Sequence, residues 1–171
     1  MNAGITICRA FRAAMVVLAV PIVAWAQPSP PAAIAAEGTV VLMTAHGVGA
    51  QIYECATDTV GKHGWQFREP VATLLIDGRT VGRHFAGPTW ELPDGSVIAG
   101  KVVGRAPGAT GDDIPWLKLE PAATGTGQFA VVTTIQRINT KGGALAGACD
   151  TAGQFVAVPY ASDYVFLKKA N

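Results

Sequence analysis

An all-β fold, built as a single antiparallel β-sandwich or β-barrel with one disulfide, is what this sequence predicts. Three observations lead there. Short apolar or β-branched runs recur at roughly ten-residue spacing, the rhythm of small antiparallel domains. Glycine-rich turn compositions such as DGR, LPDGS, APGATGDD, ATGTG and KGGALAG separate them. Long helical periodicity and alternating β and α signals are missing beyond the first segment, which argues against a doubly wound α/β architecture.

The elements follow in chain order. Arg9 and Arg12 precede the apolar run Ala13–Trp25, and Ala24-Trp25-Ala26 supplies a small-x-small cleavage pattern. Residues 1–26 therefore read as a secretory signal peptide. The apolar run is short for a membrane span and contains Pro21, so no membrane anchor is expected after cleavage. Residues 27–36, QPSPPAAIAA, read as a flexible, exposed leader. Residues 37–171 hold the all-β domain, with candidate strands at Thr39–Thr44, Ala50–Cys55, Trp65–Phe67, Val71–Ile76, Thr80–Phe85, Thr89–Leu92, Val97–Arg105, Trp116–Leu119, Phe129–Ile138, Phe155–Pro159 and Tyr164–Leu167. Phe129–Ile138 is apolar or small on both faces and predicts a central strand covered on each side.

Composition narrows the partners. The 171 residues hold 13 Lys+Arg and 12 Asp+Glu, and both basic residues of the first segment leave with the signal. No basic stripe remains, so a nucleic-acid partner is excluded. Cys8 also lies in the signal, which leaves Cys55 and Cys149 as a pair in an exported, oxidising setting. A bridge between them closes a loop of about 95 residues, for which chain entropy gives about 4.5 kcal/mol. The expected localisation is secreted or periplasmic; nothing in the sequence sets the oligomeric state.

The densest chemistry lies in GRHFAGPTWELPDGS, Gly82–Ser96. Turn geometry accounts for much of it. Pro93 presets a corner, Asp94 closes it and Gly95 accepts a left-handed conformation, making a hairpin to Val97–Arg105, while Gly87-Pro88 favours an extended Gly87 and breaks the preceding strand. Left over are His84 and Glu91, an acid–base pair if both face one cavity, with Asp94 as a third catalytic candidate. His84, Trp90 and Glu91 make the candidate ligand surface. His46, His63 and His84 lack the spacing of a metal-binding hairpin or helix, so neither a metal nor another cofactor is assigned, although three converging imidazoles would hold zinc or copper. A nucleophile elbow, a dinucleotide fingerprint and a P-loop are absent from the sequence. Trp65, Trp90, Trp116, Tyr53, Tyr160 and Tyr164 fill the core of a small β-domain, or line a barrel around a small apolar or sugar-like ligand.

Five blocks carry a family resemblance: AQIYECA (Ala50–Ala56), GRHFAGPTWELPDGSVIAGKV (Gly82–Val102), IPWLKLE (Ile114–Glu120), IQRINTKGG (Ile135–Gly143) and VPYASDYVF (Val158–Phe166). Together they resemble the secreted family catalogued as domain of unknown function 3455. That resemblance implies export by bacteria or fungi and no established activity. Some fungal members carry a malate dehydrogenase label, which this chain does not support because it lacks the glycine fingerprint and the βαβ pattern. The expected function is an exported, disulfide-braced binding or structural module, with a small His/Glu enzyme or a histidine metal site as alternatives.

Overall fold

A computed structural model describes residues 30–170. The signal peptide read over residues 1–26 lies outside them, as does the start of the leader. Eight antiparallel strands follow one another around a closed barrel, each paired with its sequence neighbours and the last with the first. They are β1 (Thr39–Thr57), β2 (His63–Ile76), β3 (Arg79–Phe85), β4 (Thr89–Glu91), β5 (Val97–Ala106), β6 (Trp116–Pro121), β7 (Thr134–Gly142) and β8 (Phe155–Lys169). Closure leaves no free sheet edge, which resolves the choice between sandwich and barrel. There is no α-helix among the described residues, only the short 3₁₀ segments Ala32–Ile34 and Gly127–Val131.

Long strands replace several of the predicted pairs. Thr39–Thr44 and Ala50–Cys55 are one strand, and the AHGVG between them is not a turn. Gly47 and Gly49 face inward there, and a Cβ on Gly47 would sit 2.6 Å from the Tyr164 ring. Glycine in this strand marks close approach of groups on the neighbouring strands, the Tyr164 ring on β8 and the Val71–Ala72 backbone on β2, not a reversal of the chain. Likewise Trp65–Phe67 and Val71–Ile76 join within β2, where a register shift at Arg68 absorbs the irregularity, and Phe155–Pro159 joins Tyr164–Leu167 within β8.

Three further expectations are corrected. Phe129–Val131 is a 3₁₀ turn, so the predicted central strand begins only at Thr134. Its apolar residues serve a different purpose: Phe129 is fully buried as a stopper, while Val131 is exposed. Gly87 adopts φ +111°, a left-handed conformation, not the extended one its following proline suggests. The described part of the leader is not free. Ile34 is fully buried against the outer wall, and the Gln136 side-chain amide donates to its carbonyl at 2.6 Å.

Strand alternation sends one residue in two to the interior. On β8 the inward row is Phe166, Tyr164, Ser162 and Tyr160; on β1 it is Ala45, Gly47, Gly49, Gln51 and Tyr53. Phe129, Phe166, Trp90, Leu92, Ile98 and Ile135 pack one half of the barrel solid. The other half is held by the predicted disulfide. Cys55, at the end of β1, is bonded to Cys149 in the β7–β8 connection, with Cα atoms 5.9 Å apart. This connection also folds onto β1 through the Tyr53 hydroxyl, which donates to the Gly143 carbonyl at 2.8 Å and accepts from the Leu145 N–H.

Candidate functional site

Above the solid half the barrel is hollow. A cavity of about 460 Å³ opens at the end formed by the β1–β2, β3–β4 and β5–β6 termini, within the size range of small-molecule sites. Its floor is aromatic. His84 and Trp90 are partners across β3 and β4, and alternation turns both inward. Their rings stack with centroids 4.5 Å apart and planes inclined by 14°, and the Tyr164 ring closes on both at 4.8 and 5.4 Å. Higher up, Gln51, Tyr53 and Leu117 form the walls, and Phe67, Arg68, Pro88 and Arg105 form the rim.

His84 is almost completely buried, at 2% exposure. Its Nδ1 lies 2.9 Å from the Thr89 carbonyl, which can only accept, so Nδ1 carries the proton and Nε2 is the free nitrogen. Burial drives its pKa down to about 4, because the imidazolium would lose its hydration. His84 is thus neutral at physiological pH and is a flat, partly polar surface element of the cavity.

Glu91 does not join it. It is one residue beyond Trp90, so it projects to the outside, where Arg83 grips its Oε2 through Nη2 at 2.7 Å and Nε at 3.1 Å. His84 and Glu91 stand on opposite faces of the sheet, and the acid–base pair anticipated from their proximity in sequence does not form. Asp94 is also elsewhere. Its Oδ1 accepts from the Ser96 N–H at 2.9 Å and its Oδ2 from the Gln128 amide at 2.8 Å. These hydrogen bonds, that from Gln128 foremost, hold its carboxyl below the usual range. An exposed carboxylate kept ionised in this way is a turn anchor, not a proton donor. Together with the Gln128 N–H on the Ser96 hydroxyl, it ties the β4–β5 hairpin to the segment that carries Phe129. Gly95 adopts φ +83°, the left-handed corner that the LPDGS turn requires.

The three histidines are not brought together. His46 pairs outside with Asp163 at 2.8 Å, His63 meets the Thr57 hydroxyl at 2.9 Å, and only His84 is inside. No cluster of three metal-ligating side chains occurs among the described residues. Of the aromatics singled out in the sequence, Tyr53, Trp90 and Tyr164 line the cavity, while Trp65 and Trp116 lie outside its lining.

Sequence reasoning missed Arg137 and Arg105. Arg137 reaches inward from β7, opposite Tyr164, and donates to the Pro115 carbonyl through Nη2 at 2.8 Å and Nε at 3.2 Å. Arg105 sits at the rim, opposite Leu117. Burial lowers the pKa of Arg137, the hydroxyls of Tyr164 and Tyr160 oppose that shift, and the charge of Arg105 adds to it; a guanidinium stays charged nonetheless. A signal for Arg137 was present: it lies two residues beyond Ile135, on the same face of the strand. The two hydroxyls, Tyr160 and Tyr164, are bonded to each other at 2.9 Å, and burial raises the pKa of both.

The fold defines the class: a closed, disulfide-stapled barrel of eight up-and-down strands with a cavity at one end, an architecture whose interior is either filled by side chains or left with room for one small ligand. The family described as "Protein of unknown function (DUF3455)" matches this chain over residues 35–79 and 75–168, and the chain belongs to that family. Neither the curated proteins nor the solved structures yield a match.

Proposed function

We propose that this domain is an exported binding module that takes a small ligand with an apolar body into the open half of its barrel. The observation that carries the proposal is the cavity itself: about 460 Å³, floored by the His84–Trp90–Tyr164 cluster, in a barrel whose other half is packed solid. A purely structural barrel of eight strands has side chains enough to fill its own interior. Here space is instead left above the floor, between Gln51, Tyr53, Leu117 and Val102. Export is supported by the signal-like first 26 residues and suits the disulfide. The acid–base chemistry of a small His/Glu enzyme finds no support in the geometry, since Glu91 and Asp94 are both outside.

Titration with N-phenyl-1-naphthylamine, a neutral apolar fluorophore, tests the reading. Saturable one-to-one binding is expected, weakened at least roughly tenfold by Val102→Phe, which fills the cavity, with the far-UV spectrum unchanged. If Val102→Phe fails to fold, Leu117→Phe fills the same space from the adjacent strand. Absence of saturable binding, or binding indifferent to both fillings, overturns the proposal.

A further inference from the structure

The cavity is electrically one-sided. Arg68, Arg105 and Arg137 are in its lining, and no aspartate or glutamate is. Arg68 has its own carboxylate partner, Glu69, at 3.5 Å. Arg105 and Arg137 have none: among the described residues neither is within 4 Å of a carboxylate. Every other ion pair of the barrel lies on its outside, so this is not a general shortage of acidic groups.

Arg137 is also positioned, not merely present. Two of the five guanidinium N–H groups are spent on the Pro115 carbonyl, which fixes the plane of the fork at the cavity wall. Donors remain on a group that is half-buried and shares one wall with a second cation, since Arg105 and Arg137 are the register partners of Leu117 on either side of β6. Holding two like charges at the mouth of an apolar pocket is unfavourable in the empty protein, and an entering anion converts that repulsion into attraction. The geometry of a planar fork suits a carboxylate, which it can meet with two parallel hydrogen bonds. Below the fork the surface is flat and aromatic, as the stacked His84 and Trp90 rings show.

Resting on the binding reading above, we infer that the ligand is an organic carboxylate, its acid group held by Arg137 and Arg105 and its flat apolar body laid on the His84–Trp90–Tyr164 floor. The two arginines are then the specificity-determining residues of the site. They select the anion against a neutral molecule of equal shape, and the aromatic floor supplies the affinity common to both.

A matched pair of probes separates the two contributions. Calorimetric titration of the purified chain with 2-naphthoate and with 2-naphthamide is expected to favour the acid by at least roughly tenfold, a charged hydrogen bond being about twice as strong as a neutral one. Arg137→Gln should weaken the acid by at least roughly tenfold and the amide several-fold less, so that the preference for the acid is lost. Raised salt should weaken the acid alone. Should Arg137→Gln not fold, Arg105→Gln, an exposed rim substitution, is expected to give a smaller loss of the same kind. Equal binding of the two probes, or binding of the acid indifferent to both substitutions, overturns the assignment of an anion while leaving the cavity as a binding site. If N-phenyl-1-naphthylamine binds and neither naphthalene probe does, the carboxylate class is wrong. If none of the three binds, the binding reading itself falls.

Discussion

The two ends of this barrel are made by the same strands and differ in what those strands send inward. Along β8 the row runs from Phe166 through Tyr164 and Ser162 to Tyr160; along β7 it runs from Ile135 to Arg137; along β5 it runs from Ile98 and Gly100 to Val102 and Arg105. Each row changes from apolar to polar in the same direction. At the apolar end the interior is packed, with Phe129 driven in from the β6–β7 connection until its ring lies 4.8 Å from Phe166. At the polar end the inward groups need hydrogen-bond partners instead of hydrocarbon neighbours: the Tyr160 and Tyr164 hydroxyls bond to each other and Arg137 to the Pro115 carbonyl, and apolar packing stops there. The difference teaches that strand pairing sets where an interior is, while the side chains along each inward row set whether it is core or cavity.

Substitutions at the two ends should therefore behave differently, and the largest effect is expected at the packed end. Phe166→Ala removes a ring that is fully buried between Phe129 and Trp90. A loss of about 3–5 kcal/mol is expected in urea or guanidinium unfolding; a loss below 1 kcal/mol would show that this end is not the stable half. The disulfide comes next, since it staples the rim. Cys55→Ser should lower stability by about 2–5 kcal/mol by freeing a long loop in the unfolded chain. Two reactive thiols in the unreduced wild-type protein would contradict the bridge.

His84 lies at the boundary between the halves and gives the comparison a pH signature. Its folded pKa of about 4 is below the ordinary 6.5, so the unfolded chain binds the proton more readily. The corresponding stability is fully present above pH 6.5 and is lost as pH falls from there through about 4. The size is on the order of 3 kcal/mol, from 1.36 kcal/mol per unit of pKa. His84→Phe, which keeps a ring against Trp90 but cannot titrate, should flatten the stability profile across that window. An unchanged slope in the variant would assign the effect elsewhere. Smallest of all is Glu91→Gln on the outer face. Its partner Arg83 is mostly exposed, so the pair is worth roughly 0–1 kcal/mol and the loss should stay within it. Ligand binding should not change, and if it does, the division between inner and outer faces is wrong.

Gly82–Ser96 shows how far local reasoning reaches. The turn at Leu92–Ser96, with Asp94 on the Ser96 N–H and Gly95 at positive φ, was legible because turn chemistry is decided within four residues. So was the inward partnership available to His84 and Trp90, which is a matter of parity once the hairpin is known. The pairing of His84 with Glu91 was misjudged because nearness in sequence ignores parity: β3 and β4 place Glu91 opposite Arg83, on the other face. Phe129 was misread for a related reason. An apolar run beside a strand predicts more strand, but this one sits where the chain crosses the barrel end, and burying a ring there outweighed extending the ladder.

What the sequence determined by itself was the all-β character, the turns, the single cysteine pair and the family, because each rests on short-range chemistry or on matched blocks of residues. Closure of the barrel, the hollow above Trp90 and the placing of Arg105 and Arg137 on either side of Leu117 were decided by the tertiary structure alone. The two arginines are far apart in the chain and share a cavity only because β5, β6 and β7 pair in register. A barrel's interior is defined by all its strands at once, and no local window of sequence contains that information.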